Sequence, residues 1–454
     1  MNRLRTFWFA LEGSLWFVPV VIVCLGSTLA VGLVEIHAPL DGDIAQRWPR
    51  LFGAGAAGSR AMLTAIATSM ITVAGVVFSI TIVALSLAAS QYSPRVLRTF
   101  MSDRPTQIVL GTFIAIFTYC LIVLRTIRGG DEGAFVPSIA VLGGIGMAFL
   151  GVGLLIYFVH HVAASIQVSS ILARIADDAL AAIDLVFPRA VGAPPLEDAE
   201  DDGYPVLPER WLALAAPRTG YVVGVDSDAL LEFATRAEGV LRIVPEVGDF
   251  VVAGQPLLAL SADSVGLGGS PAAGIGKGAL AAVSLGQQRT VHQDVRYAIQ
   301  LIVDVALKAL SPSVHDPTTA EGCIDHLSAL MVRLSGRCVV SPWRHRGGRL
   351  RLVARSPDFP TLLGLAFEAV THHAGDHVEI YQNLVGALAR VAAATRDEAR
   401  RSAVHSLLEA LVARAARADL PPSSRNALAE ACADLSATLR SRAAGPDAAA
   451  SRSP

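Results

Sequence analysis

His372, His373, Asp376, His377 and Glu379 are the densest local group of ligand-type side chains in the sequence. His373 and His377 stand one helical turn apart, close enough in sequence to share an ion, but the glutamate of a zincin helix is missing and Gly375 interrupts the turn. The group reads as a solvated helix face. Gly276-Lys277 invites a second test, since a phosphate-cradling loop ends in Gly-Lys. That loop needs a glycine five residues before its last glycine and Ser or Thr after the lysine. Pro271 and Gly278 occupy those positions, so the segment reads as a flexible loop. His315 beside Asp316 suggests proton exchange, yet no nucleophile or second titratable partner is at hand. Asp316-Pro317 reads instead as a structural cap, an N-cap whose carboxylate accepts an orphan backbone N–H, followed by a first residue of preset φ. His160 and His161 read as interfacial side chains. The expectation is a protein that is not an enzyme and carries no cofactor or metal.

A different pattern lies in a long apolar run. Thr68, Thr72, Gly75, Ser79, Ser86 and Ser90 are separated by 4, 3, 4, 7 and 4 residues, which a helix places on one face, interrupted only by Ile82. Such a face either lets helices pack closely or lines a narrow aqueous path in an oligomer. Ala140, Gly144 and Ala148 form a second small-residue face, read as packing.

These faces belong to spans that could cross a bilayer. About 20 apolar residues suffice for a core about 30 Å thick, and runs 15–34, 62–90, 107–124 and 135–159 qualify, with no Asp, Glu, Lys, Arg or His inside any of them. The first run is longer than a usual signal segment. The missing ionisable groups argue against a proton-coupled transporter or pump. Tyr92, Arg95 and Arg98, following the second run, suit a membrane-interface anchor.

Composition agrees. The chain has 454 residues, 53% hydrophobic and 17% charged, with a mean hydropathy of +0.51. Residues 1–160 hold 17 of its 76 charged side chains. The excess apolarity is therefore confined to one part of the chain. A net charge of −2 and the lack of any nucleic-acid-binding motif exclude nucleic acid as a partner, and five scattered cysteines give no disulfide framework. Only Lys277 and Lys308 are lysines among 37 basic residues, a usage that fits a high-GC bacterium. Loop arginines favour, by a small margin, both termini on the cytoplasmic side of the inner membrane.

The remainder reads as soluble. A helical extension covers 161–187 and continues the fourth span, with Ile166, Ile171, Ile175, Leu180 and Ile183 on its apolar positions. Residues 188–210, rich in proline and carrying Glu197, Asp198, Glu200, Asp201 and Asp202, form an acidic linker. A small β module is expected over 211–260; its turn-strand-turn-strand end, from Val247 to Leu257, resembles biotinyl and lipoyl carriers but has no lysine at an exposed hairpin tip. A glycine-rich loop is expected over 261–288 and a mainly helical domain over 289–442, including a hairpin at 338–354 that turns at Gly347-Gly348. Residues 443–454 read as a disordered tail. The fold class is thus an α-helical membrane domain of four transmembrane helices (1–160) followed by a cytoplasmic α+β domain.

The ordered set Phe78-Ser79-Ile80, Ser90-Gln91-Tyr92-Ser93-Pro94-Arg95-Val96-Leu97, Arg289-Thr290, Gln293-Asp294, Ala309-Leu310-Ser311-Pro312 and Asp316-Pro317-Thr318-Thr319-Ala320 resembles a bacterial family of predicted membrane proteins. That family is known as domain of unknown function 2254, and the resemblance covers nearly the whole chain. It implies a membrane-embedded first half and a soluble second half, and brings no reaction, substrate or catalytic residues with it. One departure is His315, where asparagine is expected. The function expected is an oligomeric, channel-like protein in the lipid bilayer with a cytoplasmic regulatory domain; the alternative is a membrane-anchored sensor or scaffold that binds a cytoplasmic protein or a small ligand.

Overall fold

Helices that are apolar around their whole circumference must be buried in protein or surrounded by lipid, and the described residues include four of them. A computed structural model describes residues 16–37, 55–91, 103–128, 135–165, 167–188, 207–261, 271–338 and 341–443. They fall into two units, divided between Ser170 and Ile171.

The first unit consists of α1 (Phe17–His37), α2 (Ala56–Gln91), α3 (Arg104–Thr126) and α4 (Ser138–Ser165), each long and apolar enough to cross a membrane. α3 is the hub. It packs against the other three and buries Val109, Phe113, Ile116, Tyr119, Cys120 and Val123. Glycine permits the close approaches: a Cβ on Gly111 would lie 2.7 Å from the Cα of Pro19 on α1, and one on Gly144 would lie 2.9 Å from Leu63 of α2. The face expected to pack through Ala140 and Gly144 does so, and the Tyr119 hydroxyl donates to the Ala140 carbonyl at 2.6 Å.

α4 does not run on into the extension. The Gln167 amide turns to the Ala164 carbonyl, a three-residue step that leaves the helical ladder, and α5 (Val168–Val186) begins anew, with its residues from Ile171 onward in the second unit. Its buried side includes Ile171, Ile175 and Ile183 as expected, together with Leu172, Ala176, Ala179 and Ala182. Asp184, near its end, receives a two-pronged bond from Arg333 (2.9 and 2.7 Å) and a third contact from Arg337 at 2.5 Å.

The second unit continues with β1 (Trp211–Ala215), β2 (Gly220–Val225), α6 (Ser227–Arg236), β3 (Leu241–Ile243), β4 (Phe250–Val251), β5 (Pro256–Ser261), α7 (Pro271–Ala281) and β6 (Val283–Gly286). After α8 (Val295–Ala309) and α9 (Pro317–Ser335) comes the hairpin of β7 (Trp343–Arg346) and β8 (Arg349–Val353), then α10 (Phe359–His373), α11 (Val378–Ala394), α12 (Glu398–Ala415) and α13 (Pro422–Ala443). A five-stranded sheet has the order β1-β5-β3-β8-β7, antiparallel except for β3 with β8, and a three-stranded sheet has the order β4-β2-β6. Val222, Leu230, Leu241, Leu258, Leu285 and Leu352 meet in one core. The β module therefore does not close at 260: it takes strands from 283–286 and 343–353.

The glycine-rich segment is not simply a loop, since α7 and β6 occupy its described part. Gly278 sits under the Phe233 ring, where a Cβ would lie 2.5 Å from the ring carbon. Its glycine permits a close helix-to-ring approach. The acidic linker (189–206) and the tail beyond Ala443 lie outside the described residues.

Helix starts share one device. Asp103, Asp226, Asp294, Asp316, Asp358 and Asp397 each accept the backbone N–H of the residue three positions on, which satisfies an orphan donor. One helix end has an unusual stopper. Buried Arg400 donates to the carbonyls of Leu334, Ser335 and Arg337 at 3.2, 3.0 and 2.9 Å, closing the end of α9, with its guanidinium 5.2 Å from the centre of the Phe359 ring.

Candidate functional site

α2 separates two chemistries by face. Leu63, Ala67, Met70, Ala74 and Val77, spaced by four and three, are buried against the neighbouring helices. Thr68, Thr72, Gly75, Ser79 and Ser86 lie on the opposite side and are exposed, and a Cβ on Gly75 would meet nothing within 4 Å. The Thr72 hydroxyl donates to the Thr68 carbonyl at 2.8 Å, so this hydroxyl keeps a backbone partner without help from another helix. From Thr68 to Ser86 the stripe extends about 27 Å along the helix axis, close to the thickness of a hydrocarbon core. Ser90 is in the last turn of α2, but its side chain, like Tyr92, Arg95 and Arg98 of the expected anchor, lies outside the described residues.

A polar cluster joins the start of α3 to the end of α4. Asp103 caps α3 through the Thr106 amide at 3.2 Å and accepts the Thr106 hydroxyl at 2.7 Å. Its Oδ2 is 2.8 Å from His161 Nε2, and Ser165 Oγ is 3.3 Å from the same nitrogen. A relay of the Ser-His-Asp kind needs the hydroxyl on one imidazole nitrogen and the carboxylate on the other. With both on Nε2, the cluster is a fastener between helix ends. Burial pushes the Asp103 carboxyl up, but the bonds from the Thr106 hydroxyl and His161, the charge of His161 and the Thr106 amide together hold it below the usual value. The Tyr157 ring stacks on His161 with centroids 5.7 Å apart. Sequence reasoning placed His161 at the interface and missed Asp103. The signal was present: Asp103-Arg-Pro-Thr106 repeats the Asp and Thr spacing of Asp358-Phe-Pro-Thr361 and Asp316-Pro-Thr-Thr319.

In the second unit, the Asp316-Pro317 cap forms as expected, with Asp316 accepting the Thr319 amide at 3.1 Å and its hydroxyl at 2.6 Å. His315, just before it, has φ +51°. Left-handed backbone is tolerated best by glycine and asparagine. That explains why asparagine is expected there, without any chemistry of the side chain. The His315 ring lies 5.0 Å from that of His377, whose Nδ1 is 3.4 Å from Glu379. His373 turns back to the Ala369 carbonyl at 2.9 Å. Among the described residues, no three of the His, Cys, Asp and Glu side chains come together as a metal site.

The motif residues Arg289, Thr290, Gln293 and Asp294 form a seam. Arg289 grips both oxygens of Asp294 at 2.8 and 2.9 Å, while Asp294 caps α8. Gln293 accepts the Val225 amide at 2.8 Å and donates to the Val225 carbonyl at 3.3 Å, as a neighbouring strand would. Gly248, at φ +95°, passes so close to Asp294 that a Cβ would lie 2.2 Å from its Oδ2. The seam stitches the three-stranded sheet to the start of α8.

Comparison with other proteins places the chain in a family. Two uncharacterized proteins, one of Mycobacterium tuberculosis and one of Mycobacterium bovis, are each 33% identical to it over 433 residues, covering 94% of this chain and 81% of theirs. No solved structure matches it. The predicted membrane protein family DUF2254 matches residues 12–390, which takes in all four apolar helices, the seam and the Asp316 cap, and the chain belongs to that family.

Proposed function

We propose that the protein is a multi-pass inner-membrane protein, cytoplasmic at both termini, that assembles with copies of itself into a channel-like structure regulated by its soluble unit. The observation that carries this reading is the orientation of the α2 stripe. Its hydroxyls and Gly75 face away from α3 and α4, against which the opposite face of the same helix packs, over a length matching a hydrocarbon core. A small, weakly polar face of that length suits close approach to the same helix in other copies, with hydroxyls lining a narrow path of little charge selectivity. The lack of ionisable side chains along the stripe favours passive conduction over coupled transport.

The test is ion flux in proteoliposomes under varied voltage and tension, alongside native mass spectrometry of the oligomer, for wild type and Ser79→Leu. Wild type is expected to conduct as an oligomer and Ser79→Leu to lose at least about tenfold of that flux, since a leucine in a narrow path both blocks and dewets it. Flux no greater than that of empty liposomes rejects the reading.

A further inference from the structure

The β7–β8 hairpin concentrates positive charge in a chain of net charge −2. From Trp343 to Arg355 it holds Arg344, Arg346, Arg349, Arg351 and Arg355 and no acidic residue. Gly347 and Gly348, at φ +61° and +68°, form its two-residue turn, and β7 is an edge of the five-stranded sheet. Arg346 and Arg349 are direct cross-strand partners, both exposed. Like charges facing each other across a ladder are destabilising, and among the described residues neither arginine has an ion-pair partner. Two more arginines, Arg344 and Arg351, each keep a buried Nε with no hydrogen-bond partner. Asp228 lies close enough to Arg344 to act on it electrostatically and Arg351 donates to the Gly239 carbonyl, so the charge left without a counter-charge among the described residues is that of Arg346 and Arg349 at the turn.

The chain contains one segment of matching and opposite charge. Glu197, Asp198, Glu200, Asp201 and Asp202 carry five negative charges, with no Lys or Arg from 190 to 209. The run itself lies outside the described residues, but both of its ends are fixed. The Pro188 carbonyl accepts Arg337 Nη1 at 2.9 Å, and Arg337 is six residues from Trp343. The other end returns at β1, the opposite edge of the same sheet, about 19 Å from β7 at ordinary strand spacing. Nine residues on either side of the run, from Pro188 to Glu197 and from Asp202 to Trp211, each span up to about 30 Å.

We propose that the acidic run 197–202 docks on Arg346 and Arg349, forming an electrostatic latch between the end of α5 and the outer edge of the sheet. The latch neutralises the facing arginines and shields an edge strand that would otherwise be open to pairing. Because its charges are at the surface, it weakens as salt shortens the screening length.

The test uses the full-length protein in an uncharged detergent. In the Arg346→Lys/Arg349→Lys variant, which keeps the charge and adds amines, a zero-length carbodiimide is expected to link those positions to residues 197–202 within one chain, and 0.5 M salt is expected to suppress the link, as a screening length of about 4 Å requires. In the otherwise wild-type chain, replacing the five acids by their amides is expected to speed tryptic cleavage after Arg346 and Arg349 at least about tenfold. Cross-links between chains would assign the arginines to a second copy. Protection of the arginines seen only in proteoliposomes containing phosphatidylglycerol would assign them to an anionic membrane surface. Either result, or unchanged cleavage in the amide variant, overturns the latch.

Discussion

The two units close their structures by different means. In the first unit, glycine permits close approach: Gly111 meets the backbone of Pro19, and Gly144 meets the side chains of Leu63 and Tyr119. In the second unit, charged side chains finish helix ends, as Arg400 does on three carbonyls and Asp316 does on the Thr319 amide. With the first unit in lipid and the second in water, as proposed above, the difference follows from the surroundings. Lipid offers a helix no hydrophobic reason to leave it, so contact must come from shape; water does, and the remaining problem is the orphan polar group. The α2 stripe is the exception within the first unit, a small-residue face left exposed among the described residues.

The largest expected effect is at Arg400. Arg400→Ala leaves three carbonyls without their donor, and we expect a loss of about 3 kcal/mol in denaturant unfolding of the second unit. A loss below about 1 kcal/mol would mean that water replaces the guanidinium at no penalty. Next is Gly111→Ala, where the added methyl meets backbone that cannot swing aside; thermal unfolding in detergent should show about 2 kcal/mol of destabilisation. Asp103→Ala removes a cap and the partner of His161, worth about 1 to 2 kcal/mol at neutral pH. The Asp103 carboxyl is held below its ordinary value of 3.8, so its contribution is complete above that pH and fades as pH falls through the lower folded-state value. Unfolding curves of wild type and variant should accordingly converge in strong acid and stay apart at pH 7. Gly75→Ala inverts the result at Gly111: with open space around it, the methyl should stabilise the helix by about 0.5 kcal/mol while changing oligomer assembly. Equal signs at the two glycines would erase the contrast between closed and open faces. The smallest effect expected is His315→Asn, a gain of a few tenths of a kcal/mol from a residue better suited to φ +51°.

The four apolar helices were legible because their composition alone places them, and their described bounds fall within a few residues of those expected, except that α2 starts at Ala56 and α4 reaches Ser165. The direction of the stripe was not legible: α2 is apolar on both faces, so its periodicity marks two stripes without saying which one is buried. The Asp316 cap was readable from two residues, and the same chemistry at Asp103 went unread because it sits among loop arginines. α7 was hidden because glycine suits both a loop and a helix pressed against Phe233. The parallel pairing of β3 with β8 leaves no local trace, since Leu241 and Leu352 meet only in the finished sheet.

The aspartate caps also bear on the order of events during synthesis. Each is satisfied by a residue three positions later, so every such helix start can be set within about one second of its residues leaving the ribosome. β3 must wait for about 110 further residues before β8 exists, some 5 to 20 seconds at ordinary elongation rates. During that interval the nascent sheet holds an unpaired edge, and the time at which the basic hairpin arrives, rather than any cap, decides when that edge is covered.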